Sequence, residues 1–144
     1  MKTPYATLLS VRAIEERQAE AALTAALGAL RQAEQALATL IAHREAWIDG
    51  HLVGSLGSTS FAPAVVALER AEREAVAVLD RVGREVDVAR TEYLERRRQR
   101  EVVERLHTDA LARAAREAAR REQAEIDDLT AIRRRARGAE PVSP

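Results

Sequence analysis

Glu104 and His107 stand three residues apart in the run Glu-Arg-Leu-His. On a helix that spacing puts a carboxylate and an imidazole on one face. Di-iron bundles use this unit twice, with two further glutamates on facing helices. The chain holds a single such unit, so a dimetal centre is not expected. His43, Trp47 and His51 fall close together near the end of a helical pattern, but a zinc site needs a third rigidly held ligand, and none is evident. The reading for Trp47 is an apolar plug. Asp127 and Asp128 are adjacent, which on a helix turns them about 100° apart. That geometry does not make a paired acid and base; a solvated face or a partner contact fits better. Phosphate loops, nucleophile elbows and metalloprotease motifs do not occur. No catalytic residue, cofactor or metal ligand is assigned, and the chain reads as a non-enzyme.

Arginines cluster at 96–100 and 133–137. Acids interleave the first cluster and aromatic residues accompany neither, so phosphate-backbone binding is poorly supported. A zipper-type DNA binder would place a basic helix ahead of a parallel heptad repeat. The order here is wrong, and no nucleic-acid partner is expected. Charge is nonetheless uneven. Residues 94–137 hold thirteen Arg against nine acids, whereas 1–93 hold ten basic residues against thirteen acidic.

The elements that must position these groups follow from the punctuation. Prolines fall at 4, 63, 141 and 144, leaving two long proline-free stretches. Gly50, Gly54 and Gly57 gather just before Pro63, and the remainder is rich in Ala, Leu, Glu and Arg, strong helix formers. The expected architecture is all-α: two long helices in an antiparallel coiled-coil hairpin, with the second overhanging. We read residues 1–137 as a single hairpin, with a helix over 4–49, a loop over 50–59, a helix over 60–135, and a disordered tail over 138–144. Ser60 is a candidate N-cap with Pro63 in the first turn.

Leu23, Leu27, Leu30, Leu37, Leu40, Ile41, Trp47 and Ile48 form one stripe on the first helix. Leu8, Val11 and Ile14 form another, out of heptad phase with it. The offset reads as a stutter in the alanine-rich segment 19–29. Gly28, in that segment, is expected to let a partner helix approach closely. On the second helix the stripe is Phe61, Val65, Leu68, Ala75, Leu79, Val82, Val86, Ala89 and Tyr93. It breaks at the wholly polar 95–101 and resumes weakly from Val103. Leu30, Leu37, Leu79 and Val82 are the expected core, with Leu30 near Leu79 and Val82. Glu69–Arg73, Asp80–Arg84, Glu92–Arg96, Glu101–Arg105, Asp109–Arg113 and Glu117–Arg121 are i,i+4 pairs in the favoured order, each worth about 0.2–0.5 kcal/mol.

Folded back at the loop, residue i faces about 110 − i, so the first helix is used up near residue 103. About thirty residues of the second helix then overhang, from a rise of roughly 1.5 Å each. Leu106, Leu111, Ile126, Leu129 and Ile132 are left without a partner. They read as a docking surface for another protein, or as a site of self-association or of a bent-back tail. Aromatics are 3% of the chain and cysteines are absent, so the core is a thin seam with no disulfide framework and no cysteine-based zinc site. The first residues are too short and too charged a run for a signal peptide. No run of eighteen apolar residues occurs, so no direct membrane insertion is expected. A cytoplasmic location is the default expectation.

The opening, from Tyr5 through Leu8, Leu9, Val11, Arg12, Ile14, Glu15, Glu16 and Arg17 to Gln18, resembles the start of the flagellar export FliJ family. So does Arg120-Arg-Glu-Gln123-Ala-Glu-Ile-Asp127-Asp128-Leu129, with Asp128 where the family usually carries Glu. The block at 30–37 and the mid-chain Gly/Ser loop also fit, and the resemblance covers about residues 1–137. The secretion-apparatus relative YscO shares this architecture.

The resemblance implies a cytoplasmic stalk and chaperone component of a type III export apparatus, peripherally associated with the inner membrane. It also implies three partners: the export ATPase hexamer, the membrane protein of the export gate, and export chaperones. ATPase-ring docking would fall to Leu106, Leu111, Arg120, Arg121, Gln123, Ile126, Asp127, Asp128, Leu129, Ile132 and Arg133. The family's gate contact maps to Leu68, Ala71 and Ala75, although an aromatic and a histidine found nearby in some members are missing here. The competing class is a generic coiled-coil scaffold or dimerising adaptor.

Overall fold

The computed structural model describes residues 3–53 and 61–139. Among them are two helices, α1 (Tyr5–Val53) and α2 (Phe61–Gly138), packed against each other, and no strand. Pro4 precedes α1, and the Thr3 carbonyl accepts from Ala6 N–H at 3.2 Å, closing the entry turn. Gly50 lies inside α1, which runs to Val53, so the helix passes through the first glycine of the expected loop. A lone glycine costs a helix only about 1 kcal/mol, and neighbouring turns carry it. The other loop glycines, the Ser60 cap and the end of the expected tail lie outside the described residues. Pro63 does fall in the first turn of α2, where its missing N–H costs nothing. At the other end Arg135 and Arg137 face the negative pole of the helix dipole.

The chain divides into two compact units. In the unit Arg12–Gln99, the α1 residues turned inward are Arg12, Glu16, Ala19, Leu23, Ala26, Leu30, Ala33, Leu37, Leu40, Arg44 and Trp47. Their spacing alternates strictly between three and four, the signature of a coiled-coil seam. On α2 the matching set is Val65, Leu68, Glu72, Ala75, Leu79, Val82, Val86, Ala89, Tyr93 and Arg96. The helices run antiparallel: Arg44 meets Glu72 at 2.9 Å, while Glu15 meets Arg96 at 3.4 Å. In the other unit, Met1–Val11 with Arg100–Pro144, Tyr5 and Leu9 turn inward on α1, and Arg100, Val103, His107, Ala110 and Ala114 on α2. There the Thr3 hydroxyl and His107 Nδ1 share a hydrogen bond, in line with a facing sum near 110.

Three expectations change. The stutter is absent, because Leu8, Val11 and Ile14 are exposed and the seam passes instead through Leu9, Arg12 and Glu16. Those polar residues keep the phase but hide it from a hydrophobic count. Gly28 does not serve close approach, since a Cβ built there meets nothing within 4 Å. Of the expected core, Val82 is 6% exposed, but Leu30, Leu37 and Leu79 are only half-buried. The tightest positions are Ala19, Ala33, Val82, Val86 and Val103. A two-helix seam covers small side chains completely and leaves the ends of larger ones at its edge.

Candidate functional site

The groups that first invited chemistry are engaged elsewhere. Glu104 takes the guanidinium of Arg100 at 2.5 Å, and His107 takes Thr3, so the Glu-x-x-His unit closes its own bonds. His43 is exposed and Trp47 half-buried. Among the described residues no three His, Asp or Glu side chains converge as a metal site. The first arginine cluster is threaded with acids: Arg96 bonds Glu92 at 2.7 Å and Arg98 meets Glu95 at 3.6 Å.

A polar cluster that the hydrophobic stripes did not reveal lies at one end of the unit Arg12–Gln99. Arg12 Nη1 donates to Glu15 Oε2 at 2.8 Å and to Gln99 Oε1 at 3.2 Å, and Arg96 reaches the same Glu15 oxygen. The Arg12 hydrogen bond holds the Glu15 carboxyl below its ordinary value, against partial desolvation, with Arg96 adding attraction. The hydrogen bond that Arg96 Nε donates to Glu92 pushes its guanidinium up. The signal for this cluster was the strict 3–4 phase of Arg12, Glu16, Arg96 and Arg100, read without regard to polarity.

The candidate docking surface is the later part of α2. From Ala115 to Ala139 every side chain is exposed. Leu106 and Leu111 are 38% and 37% exposed, and Ile126, Leu129 and Ile132 are 49%, 57% and 60% exposed. The backbone stays helical through local bonds. Glu117 pairs with Arg121, Gln123 Nε2 donates to Asp127 at 2.9 Å, and the Thr130 hydroxyl donates to the Ile126 carbonyl at 2.8 Å. Of the six expected pairs, Glu92–Arg96 and Glu117–Arg121 are formed; Arg113 turns instead to the Asp109 carbonyl at 3.4 Å.

Continued at alternating steps, the seam would pass through Glu117, Arg121, Ala124, Asp128, Ala131 and Arg135. Ile126, Leu129 and Ile132 lie off that line, centred about 120° around the helix. They are therefore not a continuation of the α1-facing stripe. At about 100° per residue, Ile126, Leu129, Ile132 and Arg133 share one face. Arg120, Gln123 and Asp127 share the opposite one, and Arg121 and Asp128 fall between. The expected docking residues thus surround the helix rather than line one side. Of the expected gate residues, Leu68 and Ala75 are half-buried seam positions, and Ala71 lies on the flank.

An antiparallel pair of long helices, the second exposed from Ala115 to Ala139, defines a helical-hairpin protein of coiled-coil type. Its family is equally definite: the family model for the flagellar FliJ protein matches residues 1–139, and the chain belongs to that family. Membership makes it a component of the flagellar export apparatus. No curated protein and no solved structure matches it. No helix among the described residues is long and apolar enough to cross a membrane.

Proposed function

We propose that this chain is a non-enzymatic stalk of the export apparatus, with residues 1–137 acting as one domain and 138–144 as a tail. Its free α2 segment docks in the central opening of the export ATPase hexamer. Early α2, through Leu68, Ala71 and Ala75, contacts the export gate, and export chaperones bind the same protein, which works in the cytoplasm against the inner-membrane apparatus. The observation that carries the reading is the extension after Ala114, exposed on all sides. Its candidate contacts lie on opposite faces, and a single flat partner covers one face of a helix. A ring encloses it, meeting Ile126, Leu129 and Ile132 on one side and Arg120, Gln123 and Asp127 on the other. Arginines at 120, 121, 133 and 134 favour an acidic lining, which aligns and speeds capture more than it adds affinity.

The test is the pair Ile126→Asp with Leu129→Asp. Neither residue serves the seam, so the circular-dichroism signal at the helical minimum stays at the parental level. Capture by the purified export ATPase hexamer is lost, and with it complementation of a non-motile null strain. Full complementation by this double variant would remove the segment from consideration as the docking site.

A further inference from the structure

The seam of the unit Arg12–Gln99 carries charge at its two ends and none between. At one end Arg44 Nη1 donates to Glu72 Oε2 at 2.9 Å, with 34% and 15% of the two side chains exposed. At the other, Arg12 bridges Glu15 and Gln99 while Arg96 bonds Glu15 and Glu92. Between these layers the α1 seam is Ala19, Leu23, Ala26, Leu30, Ala33, Leu37 and Leu40. The α2 seam there is Ala75, Leu79, Val82, Val86, Ala89 and Tyr93. An alternation so uniform buries nearly as well after a slip of seven residues, because every heptad position repeats. The charged layers do not repeat. The slip that brings Ala89 to the place of Val82 sets Arg44 against Leu79 and carries Glu72 a full heptad past Arg44 toward the end of α1. Each then loses its partner, and a half-buried charge without a partner is strongly disfavoured.

We infer that the Arg44–Glu72 layer and the Arg12–Glu15–Arg96–Gln99 layer form a register lock, which selects one alignment of the two helices and rejects its seven-residue neighbours. Selectivity of this kind is bought against stability. Arg12 Nε and Glu72 Oε1 are buried without a hydrogen-bond partner, a cost that apolar side chains would not carry. The slip it prevents moves α2 along α1 by about 10 Å. This inference concerns the seam alone and does not rest on the docking reading.

The chain has no cysteine, so engineered pairs report register without background. Leu30→Cys with Val82→Cys tests the native alignment; Leu30→Cys with Ala89→Cys tests the slipped one. In the otherwise parental full-length chain, mild oxidation is expected to favour the native disulfide by at least about a hundredfold, the factor that one stranded buried charge implies. In a background carrying Arg12→Leu, Glu15→Leu, Arg44→Leu, Glu72→Leu and Arg96→Leu, the melting temperature rises and the two disulfide yields come within about tenfold. A second series does not depend on that background folding. Arg44→Glu alone lowers the melting temperature, and adding Glu72→Arg restores it. Native-only cross-linking in the leucine background, or no restoration by the charge swap, overturns the lock.

Discussion

Replacing Gly28 and Gly83 by alanine should stabilise this chain by about 2 kcal/mol, from roughly 1 kcal/mol per helical glycine. Gly28 lies inside α1 and Gly83 inside α2, and neither has a positive φ. A Cβ built at either meets nothing within 4 Å, so no steric term subtracts from the gain. The gain comes mainly from the unfolded chain, which loses conformational freedom when glycine becomes alanine. Gly28 is on the outer side of α1 and Gly83 on a flank of α2, without a shared side-chain partner, so the two effects add within about 0.5 kcal/mol. For a chain of 144 residues the sum corresponds to a rise of roughly 4–8 °C in melting temperature. Urea titration followed at the helical minimum is the assay. The midpoint should rise with an unchanged m value, because the exposed area of unfolding is the same. A gain under about 0.5 kcal/mol, or a lower midpoint, would mean that another part of the chain packs on one of these glycines.

Val86, 3% exposed, is the most buried side chain among the described residues, and Val86→Ala should cost about 2 kcal/mol in the same urea assay, more than the equivalent change at exposed Val88. The Glu15 carboxyl, held low in the folded chain by Arg12, contributes stability above the unfolded carboxylate range and loses it as pH falls through the folded value. Glu15→Gln should therefore flatten the acid side of the stability–pH curve while leaving its shape near neutrality unchanged, and an unaltered acid limb would remove Glu15 from the cluster.

Fold class, helix number and antiparallel pairing were legible because proline position and composition act locally. The facing sum of about 110 was legible too, since a short loop leaves little freedom in aligning two helices, and Thr3–His107 bears it out. The seam was misread where apolarity and phase disagree. Leu8, Val11 and Ile14 are apolar at exposed positions, while Arg12 and Arg44 are charged at inward ones. Hydrophobic stripes find a seam only where both agree; the unbroken alternation of three and four would have found it throughout.

The exposed extension of α2 was identifiable from length alone, because α2 outlasts α1 and its i,i+4 bonds sustain it alone. What length did not reveal is its orientation. Sequence determined that Ile126, Leu129 and Ile132 would be free, by leaving no residues of α1 to face them. Tertiary structure decided which face of α2 is inward, and hence that these three stand about 120° off it. It also decided that Arg12, Glu15, Arg96 and Gln99, distant along the chain, meet in one layer. The physical reason is that helix formation is a property of neighbours, whereas the rotation of one helix against another is settled by side chains from both.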